Sequence, residues 1–430
     1  MSSIEIEPLA SPPQASIRPP GSKSLTNRAL VCAALARGTT RLSGLLDSED
    51  TRVMLDALVQ LGLTVRVDHQ RHTAEIEGCG GKIPASRGEL YIANSGTTVR
   101  FLTALVALAR GTFRLHGTPR MHERPIQDLL DALRQLGVRA ESEAGTGCPP
   151  VVVHAAGFPA RKTKIRGDVS SQFLSAVLLA APCAESRDGA PFEIEIVGEL
   201  VSVPYVEMTI AVMRSFGAVV EVAPGWKHFR IAPSGYQATD YEIEPDASAA
   251  SYFWAAAAIT GGRVRVEGLS KQSLQGDVAF CDVLAQMGCR VFEEAGGTVV
   301  EGGPLVGVDV DMSDISDTVQ TLGAVALFAR GATNVRNVGH IRHKETDRIG
   351  ALATELRKLG AAVEERADGL RITPGPLHGA TIDTYDDHRM AMSLALPGLK
   401  IPGVVINDPQ CTGKTYPGFW HDLEQLRVRS

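Results

Sequence analysis

Two kinds of apolar segment alternate along the chain, and the first has the spacing of an amphipathic helix. Such a segment, for example 57–62, ends in an apolar residue followed by Gly, and an alternating apolar and polar stretch follows, as in 64–67 and 218–222. Glycine lets the chain leave a helix through a left-handed conformation, and the alternation predicts a half-buried strand. The pattern recurs every 71 to 80 residues, with its glycines at Gly62, Gly137, Gly217, Gly288 and Gly360, and a sixth copy begins at Phe419.

The second kind of segment is rich in Ala and Leu and apolar nearly all round, which predicts a helix buried on every side. Six copies, paired with the first kind, indicate six repeat units, and 430 residues suit two domains better than one core. We therefore predict two domains of three units, with the midpoint near 237–244; the short strand predicted at 4–7 could pair with either half. The apolar segments are 28–37, 100–110, 172–181, 249–260, 319–330 and 390–396.

A polar cluster precedes each apolar helix. Ser, Thr, Asp and Asn at these places are typical helix caps, and capping alone is the plainer interpretation of any single cluster. Helix N-termini also attract anions, and Lys23 and Arg389 add cations that capping does not need. If three such N-termini per domain face one cleft, they form a site for phosphate and carboxylate. The clusters are 21–24, 94–97, 169–172, 246–248, 316–318 and 386–389.

Three further basic segments are predicted loops or helix starts. Segment 117–125 contains two prolines and reads as a loop entering a helix. Segment 343–348 precedes a predicted helix, and its charges also fit local ion pairs within a first turn. Segment 408–415 contains Gly and ends in Lys-Thr, but it lacks the earlier Gly of a P-loop, which excludes nucleoside triphosphate binding by that motif.

Composition and charge narrow the class of protein. The formal net charge is −6, with 44% hydrophobic and 21% charged residues, which indicates a globular protein and argues against a nucleic-acid binder. Seven cysteines without a Cys-x-x-Cys pair favour a reducing compartment over disulfides or a thiolate zinc site. The sequence shows no signal peptide, transit peptide or membrane span. We therefore expect a cytoplasmic protein that binds neither nucleic acid nor membranes.

Several motifs, in this order along the chain, resemble those of the 5-enolpyruvylshikimate-3-phosphate synthase family. No single motif would suffice, but the set is specific and runs from about residue 16 to the C-terminus. The motifs are Pro20-Gly21-Ser22-Lys23-Ser24-Leu25-Thr26-Asn27-Arg28, Asn94-Ser95-Gly96-Thr97, Arg124-Pro125, Ser170-Ser171-Gln172, Lys344-Glu345-Thr346-Asp347-Arg348, Asp387-His388-Arg389 and Lys414.

The resemblance implies a fold and a reaction. The fold would be α/β, with two similar domains of three βαβαββ units around buried parallel helices, an inverse α/β barrel. One domain would comprise 22–243 and the other 1–21 with 244–430, with the active site in the interdomain cleft. The enzyme would be a 3-phosphoshikimate 1-carboxyvinyltransferase of chorismate and aromatic amino acid biosynthesis. It would transfer the enolpyruvyl group of phosphoenolpyruvate to the 5-hydroxyl of shikimate 3-phosphate through a tetrahedral intermediate, releasing phosphate. We expect a monomer with these two small-molecule substrates and no metal or organic cofactor.

The resemblance also carries residue roles onto matching positions. Addition and elimination need a base near the hydroxyl and an acid–base group near C3, and we expect Asp317 and Glu345 to supply them, with Lys23 stabilising charge. The residues expected at shikimate 3-phosphate are Lys23, Ser24, Arg28, Ser170, Ser171, Gln172, Ser202, Tyr205, Asp317, His340 and Lys344. Those expected at phosphoenolpyruvate are Lys23, Asn94, Gly96, Arg124, Gln172, Glu345, Arg348, Arg389 and Lys414.

Some positions depart from the family pattern, and two rival hypotheses stay open. His340 stands where the better-studied members have Asn, whereas Gly96 is kept, so we expect a glyphosate target that is sensitive to the inhibitor. The first rival is the sister transferase acting on UDP-N-acetylglucosamine; Pro119 stands where that enzyme typically carries a reactive Cys. The second is a non-catalytic binding protein of the same fold, which the presence of Asp317 and Glu345 argues against.

Overall fold

The computed structural model describes residues 2–186 and 188–427, and it divides the chain into two compact units. One comprises 21–243 and the other 1–20 together with 244–430; they are called here the 21–243 unit and the 244–430 unit. Each has its own apolar core. Within the described ranges, no helix combines the length and the apolar character that a membrane span requires.

The α-helices alternate between two types, as the sequence predicts. The odd-numbered helices are almost completely buried, whereas the even-numbered ones keep an exposed face. The helices are α1 (Lys23–Leu35), α2 (Glu49–Gln60), α3 (Gly96–Val106), α4 (Gln127–Gln135), α5 (Ser171–Ala180), α6 (Val203–Ser215), α7 (Ala247–Thr260), α8 (Phe280–Gln286), α9 (Val319–Ala326), α10 (Arg348–Lys358), α11 (His388–Ala395) and α12 (Phe419–Glu424).

Short strands connect these helices and form three sheets in each unit. The strands are β1 (Ser3–Ile6), β2 (Gln14–Ile17), β3 (Ala36–Ser43), β4 (Thr64–Asp68), β5 (Thr73–Cys79), β6 (Arg87–Tyr91), β7 (Arg110–His116), β8 (Arg139–Ser142), β9 (Val151–Ala156), β10 (Lys162–Arg166), β11 (Phe192–Val197), β12 (Val220–Val222), β13 (His228–Ile231), β14 (Tyr236–Gln237), β15 (Asp240–Glu242), β16 (Arg263–Glu267), β17 (Arg290–Glu294), β18 (Gly297–Glu301), β19 (Asp309–Asp311), β20 (Thr333–Arg336), β21 (Ala362–Arg366), β22 (Gly369–Thr373), β23 (Thr381–Ile382) and β24 (Val404–Asn407).

One sheet pattern recurs: a parallel strand pair extended by two antiparallel strands. In the 21–243 unit the orders are β14-β3-β5-β4, β6-β7-β9-β8 and β10-β11-β13-β12, with β15 also parallel to β3. In the 244–430 unit β2-β16-β18-β17 and β19-β20-β22-β21 follow the same pattern, whereas β1-β24-β23 has three strands, with β23 parallel and β1 antiparallel to β24. The shared order confirms the predicted α/β fold of repeated units.

The N-terminal strands answer the question that the sequence leaves open. Strand β1 pairs antiparallel with β24, and β2 pairs parallel with β16, so both belong to the 244–430 unit. In the 21–243 unit the corresponding parallel partners of β3 come from its other end, as β14 and β15. Each unit is therefore closed by strands distant in sequence, which is a tertiary property that local patterns do not encode.

The buried helices form the centre of each unit. Helix α3 packs against α1 and α5 in the 21–243 unit, and α9 packs against α7 and α11 in the 244–430 unit. Every residue of α7 except Thr260 is buried, as its nearly uniform apolar sequence predicts. The polar clusters lie at the N-termini of these helices, so the candidate site residues of each cluster stand at the start of a buried helix.

The repeated glycines adopt the conformation for which the pattern selected them. Gly62, Gly137, Gly217, Gly288 and Gly360 all have φ between 83° and 109°, a region that L side chains rarely enter. One predicted strand is shorter than expected: β12 begins at Val220, not Ala218. The N–H of Ala218 donates to the carbonyl of Met213 and belongs to the end of α6.

Candidate active site

Capping explains part of five of the six polar clusters; at 316–318 the structure shows no side-chain cap bond. The hydroxyls of Ser22, Ser95 and Ser170 each accept a hydrogen bond from an N–H in the following turn, at 3.3 to 3.4 Å. The carboxylates of Asp246 and Asp387 do the same for α7 and α11, both at 2.9 Å. These five residues therefore do cap their helices, and the cations beside them have other partners.

Lys23 is the first residue of α1, and a buried carboxylate faces its amine. Lys23 Nζ lies 3.6 Å from Oδ2 of Asp50, which belongs to the first turn of α2. Asp50 could not be singled out from the sequence, because an acidic residue in a first helical turn is usual on dipole grounds alone. The only sequence signal was its place in the first repeat, near the Lys23 cluster.

Arg28 contacts two other residues expected at shikimate 3-phosphate, Ser24 and Tyr205. Its guanidinium is buried and donates to the carbonyls of Ser24 and Tyr205, at 3.0 and 3.1 Å, and to Oγ1 of Thr209 at 2.7 Å. Burial lowers its pKa to about 10, so it remains a cation at neutral pH. The start of α1 and the start of α6 are thereby fixed beside each other around one positive charge.

Gln172 is held by two residues of α3. Its Oε1 accepts from Arg100 Nη1 at 2.5 Å, and its Nε2 donates to Oγ1 of Thr97 at 3.3 Å. Arg100 also donates to the carbonyl of Pro125 at 3.0 Å and stacks over the ring of Phe173. Arg100 was missed in the sequence because it lies inside a segment assigned to the core; an arginine within an otherwise apolar helix was the available signal.

Arg124 occupies the space beside Gly96. Its Nη1 donates to the backbone carbonyl of Asn94 at 2.8 Å and to Asn94 Oδ1 at 3.2 Å. A Cβ at Gly96 would lie 2.4 Å from Arg124 Nη2 and 3.1 Å from Arg100 Nη1. Three residues expected at phosphoenolpyruvate thus lie together, and the absence of a side chain at Gly96 is what lets the guanidinium approach the backbone.

The remaining serines of the 21–243 unit also begin helices. Ser171 opens α5 and is buried, and Ser170 and Gln172 beside it are half-buried. Ser202 precedes α6 in a left-handed conformation, with φ 55°, and its carbonyl accepts the N–H of Tyr205 at 3.1 Å. A left-handed serine is uncommon, so the backbone at the start of α6 is held in a specific conformation.

Asp317 is the centre of the cluster in the 244–430 unit. Its Oδ1 accepts from Lys344 Nζ at 2.5 Å and from Arg348 Nη1 at 3.1 Å, and its Oδ2 accepts from Arg389 Nη2 at 2.7 Å. Three cations from three segments therefore converge on one carboxylate. Asp317 thereby holds these cations at fixed positions.

Arg348 joins this carboxylate to two others. Its Nη2 donates to Glu345 Oε2 at 2.8 Å and its Nε to Asp387 Oδ2 at 2.8 Å. The side chain is 1% exposed, and its three nitrogens all donate to carboxylates. Burial disfavours the charge, but Asp387, then Glu345 and Asp317, raise the pKa of Arg348 above its usual value. The other oxygen of Glu345 lies 3.9 Å from Lys414 Nζ.

His340 is neutral in this setting. Its Nε2 lies 3.0 Å from Ser316 Oγ, and burial, with the charge of Lys344, lowers its pKa to about 4. Lys344 is half-buried, and this partial burial lowers its pKa against the opposing effect of Asp317. His340 and Lys344 both contact Ser316, and Lys344 also binds Asp317. The structure therefore brings together the three residues of the 244–430 unit that are expected at shikimate 3-phosphate.

A further carboxyl was not selected from the sequence. Ser248 donates a short hydrogen bond to Oδ2 of Asp277, which is buried at the N-terminal end of α7. Burial, and then the charge of Asp317, raise the pKa of Asp277 to about 6.

Asp387 was noticed in its cluster but given no role, whereas it anchors both Arg348 and the start of α11. Across 2–186 and 188–427, no group of three or more His, Cys, Asp or Glu residues could hold a metal ion.

Comparison with known proteins identifies the family. The family model for EPSP synthase (3-phosphoshikimate 1-carboxyvinyltransferase) matches residues 10–423. The chain belongs to this family. It is 49% identical over 428 residues to the 3-phosphoshikimate 1-carboxyvinyltransferase of Nostoc punctiforme, with 99% of each chain covered. It is 48% identical to the chloroplastic enzyme of the same name from Arabidopsis thaliana, covering 95% of this chain and 82% of that one.

Solved structures agree on the fold. An EPSP synthase from Acinetobacter baumannii matches with a TM-score of 0.81 at 24% identity, covering 100% of this chain and 99% of that one. The enolpyruvyl transferase NikO from Streptomyces tendae matches with a TM-score of 0.74 at 22% identity, covering 98% and 96%. The predicted family, fold and 3-phosphoshikimate 1-carboxyvinyltransferase activity are thus confirmed, and neither rival hypothesis is favoured.

Proposed function

We propose that this transferase joins phosphoenolpyruvate to shikimate 3-phosphate by addition and elimination, with Asp317 and Glu345 moving the protons. The observation that carries this assignment is that one buried guanidinium, Arg348, donates to both carboxylates, at 3.1 and 2.8 Å. The reaction needs two acid–base groups, one for a hydroxyl proton and one for a carbon-bound proton. Two carboxylates tied to one rigid donor have the fixed separation that such a pair requires.

In the addition step, the 5-hydroxyl oxygen forms a bond to C2 of phosphoenolpyruvate, and its proton passes to Asp317. The C2–C3 double bond takes a proton at C3 from Glu345, which gives the tetrahedral intermediate. In the elimination step, Glu345 takes a proton back from C3, the double bond re-forms, and the bond from C2 to the phosphate oxygen breaks. Phosphate leaves with the proton that Asp317 took from the hydroxyl, so both carboxyl groups return to their starting states. Arg348 and Lys414 lie beside Glu345 and stabilise the negative charge that it gains when it gives up its proton.

Shikimate 3-phosphate offers a phosphate, a carboxylate and hydroxyls. We assign its binding to residues of both units. Those of the 21–243 unit are Lys23, Ser24, Arg28, Ser170, Ser171, Gln172, Ser202 and Tyr205, and those of the 244–430 unit are Asp317, His340 and Lys344. Support comes from the Arg28 contacts, which hold the starts of α1 and α6 together. Hydroxyls and N–H groups at helix starts are suitable phosphate ligands.

Phosphoenolpyruvate carries a phosphate and a carboxylate on three carbons and needs more cations. We assign its binding to Lys23, Asn94, Gly96, Arg124 and Gln172, acting with Glu345, Arg348, Arg389 and Lys414. The packing of Arg124 against Gly96 and Asn94 supports this, because it fixes a guanidinium where a side chain at Gly96 would displace it. Planar guanidinium groups suit bidentate contacts with carboxylate and phosphate.

We also propose that the enzyme works as a monomer in the cytoplasm, without nucleic acid, membrane, metal or organic cofactor. All seven cysteines lie in the described part of the chain and are free thiols, which fits a reducing compartment. A net charge of −6 disfavours general nucleic-acid binding. Phosphoenolpyruvate already contains an activated enol, so the chemistry assigned to Asp317 and Glu345 needs no further electrophile.

The test is phosphate release from phosphoenolpyruvate by the purified protein, with either shikimate 3-phosphate or UDP-N-acetylglucosamine as acceptor. We expect release with shikimate 3-phosphate alone. Release with the UDP-sugar alone would contradict the acceptor assignment, and binding of both substrates without release would contradict the roles of Asp317 and Glu345. Treatment with EDTA should leave the rate unchanged.

A further inference from the structure

The turn that precedes α11 contains two consecutive non-glycine residues in a left-handed conformation. Tyr385 has φ 55° and Asp386 has φ 54°. Residues with a Cβ adopt this conformation at a cost in free energy, and they keep it only where the surroundings hold them there. Such strain is concentrated at functional sites, and this turn leads directly into Asp387, the N-cap of α11.

A buried carboxylate on α10 holds the turn in place. Glu355 Oε1 accepts the Tyr385 hydroxyl at 2.6 Å, and its Oε2 accepts the N–H of Asp383 at 3.1 Å. Lys358 Nζ lies 2.8 Å from both Glu355 Oε2 and Asp383 Oδ2, and it bridges the two acids. Glu355 thus binds the chain before the strained pair and the first member of that pair, while its own side chain is fully inaccessible to solvent.

The same helix contacts the end of the turn. Arg348 lies two helical turns before Glu355 on α10, and it donates to Asp387 at 2.8 and 3.2 Å. The N–H of Asp387 donates to the carbonyl of Thr384 at 2.9 Å, which closes the turn, and Asp387 accepts from the N–H of Arg389. Helix α10 therefore holds the turn at both ends. The directions of Arg348 and Arg389, two proposed phosphoenolpyruvate residues, depend on the conformation of this turn.

We propose that Tyr385 and Glu355 are positioning residues for phosphoenolpyruvate: their hydrogen bond holds the strained turn that aims Asp387, and through it Arg348 and Arg389. This inference rests on the function proposed above. Tyr385 is 41% exposed, but partial burial, and then the hydrogen bond to Glu355, raise its pKa, so the hydroxyl keeps its proton and remains the donor. The contacts that hold Arg28, a proposed shikimate 3-phosphate residue, come from Ser24, Tyr205 and Thr209 and not from this turn, so the larger effect falls on phosphoenolpyruvate.

The first test is Tyr385→Phe, which removes one hydroxyl from an otherwise unchanged side chain. We expect the KM for phosphoenolpyruvate to rise about three- to tenfold, with kcat and the KM for shikimate 3-phosphate changed less than about twofold. Tyr91→Phe is the matched control, because Tyr91 is an exposed tyrosine of the 21–243 unit, and it should leave all three constants unchanged.

The second test separates strain from stability. Tyr385→Ala and Tyr385→Gly both remove the ring and the hydroxyl, but only glycine adopts a φ near 55° without steric cost. We expect Tyr385→Ala to raise the KM for phosphoenolpyruvate more than Tyr385→Gly does, with part of the wild-type affinity recovered in the glycine variant. If Tyr385 only stabilised the fold, both variants would lose thermal stability, but the KM for phosphoenolpyruvate would be the same in Tyr385→Ala and Tyr385→Gly.

Calorimetric titration with phosphoenolpyruvate alone, and separately with shikimate 3-phosphate alone, gives the same comparison without turnover, because neither substrate reacts without the other. A wild-type protein that binds both substrates but releases no phosphate would overturn the proposed function, and the binding constants would still test the positioning role. An unchanged affinity in Tyr385→Phe, equal losses for both substrates, or a glycine variant no better than alanine would overturn the inference.

Discussion

A Cβ at Gly96 would lie 2.4 Å from Nη2 of Arg124, closer than real side-chain atoms approach each other. Arg124 cannot move away freely, because its Nη1 is bonded to the carbonyl and the side chain of Asn94. The conformation of Arg124 thus depends on the absence of one methyl group. Since Arg124 is a proposed phosphoenolpyruvate residue, this close packing links a glycine to substrate affinity.

We predict that Gly96→Ala weakens phosphoenolpyruvate binding. The methyl group displaces Arg124 by a fraction of an ångström to about one ångström, so the KM for phosphoenolpyruvate should rise about ten- to a hundredfold. The KM for shikimate 3-phosphate should change less than about twofold, and inhibition by glyphosate should weaken, because we expect the wild-type enzyme to be sensitive. Steady-state kinetics with each substrate varied in turn measures all three effects.

The control for this variant is Gly418→Ala, because a Cβ at Gly418 meets nothing closer than 3.9 Å. Its kinetic constants should match those of the wild type. Equal increases in both KM values for Gly96→Ala would indicate a general disturbance of α3 and would contradict the assignment of Arg124 to phosphoenolpyruvate. Full wild-type activity in millimolar glyphosate at low phosphoenolpyruvate would contradict the expected sensitivity.

Local patterns predicted the fold because each repeat contains its own signals. A glycine at the end of an amphipathic helix, an alternating strand and an apolar helix with a polar start are all properties of short segments, and Gly62 and α7 behave as predicted. The partners of β1 and β2 could not be predicted in this way. Their pairing with β24 and β16 depends on strands hundreds of residues away, and a short alternating strand fits several edges equally well.

The site residues likewise fall into those that local sequence reveals and those that only tertiary contacts reveal. Cations next to helix starts, such as Lys23 and Arg389, were visible because capping does not need them. Asp50 and Arg100 were not, because their importance lies in the partners that folding brings to them, Lys23 and Gln172 respectively. An acid in a first turn and an arginine in an apolar helix have ordinary local explanations. Only the tertiary contacts distinguish these residues from surface or core positions.

We predict that Asp317→Asn nearly abolishes the reaction while leaving the protein folded. The amide keeps the shape of the carboxylate but cannot accept the hydroxyl proton, and it removes the negative charge shared by Lys344, Arg348 and Arg389. The kcat should fall about a hundred- to ten-thousandfold, measured as phosphate release under saturating substrates. Circular dichroism and thermal unfolding show whether the variant is folded.

Asp309→Asn is the matched control for this variant, because Asp309 pairs with Arg336 at an exposed position outside the cluster. It should retain wild-type kcat, since exposed ion pairs contribute little. If Asp317→Asn retained more than about a tenth of the wild-type kcat, Asp317 could not be the main proton acceptor, and the role would pass to another group.

We predict that Asp277→Asn stabilises the protein increasingly as pH rises from about 4 to 6. The folded-state pKa of Asp277 is raised from 3.8 to about 6 by burial and then by Asp317. Between these values the folded protein holds a proton that the unfolded chain has lost, so wild-type stability falls as pH rises through this window. Asparagine cannot ionise and keeps a polar partner for Ser248, so the variant escapes this loss.

Urea unfolding at several values between pH 4 and pH 7 measures this effect as the difference in unfolding free energy between variant and wild type. The difference should grow up to about pH 6 and then level off. Asp282→Asn, at an exposed position of α8, should show no such trend. A difference that is constant with pH would mean that Asp277 has the same charge in the folded and unfolded states.

His340 gives a prediction of the opposite sign. Burial and Lys344 lower its pKa from 6.5 to about 4, so it is neutral from pH 6 to 8 and acts as a hydrogen-bonding partner of Ser316. His340→Asn can make the same bond, and kcat and the KM for shikimate 3-phosphate should stay within about twofold of wild type across this range.

As pH falls from 6.5 towards 4, the unfolded wild-type chain gains a proton at His340 that the folded protein does not, so wild-type stability falls and that of the variant does not. Parallel pH–rate profiles together with urea unfolding test both statements, with His378→Asn as the control because His378 is exposed. Loss of an ionisation between pH 6 and 7 from the profile of the variant would show instead that His340 is charged during turnover.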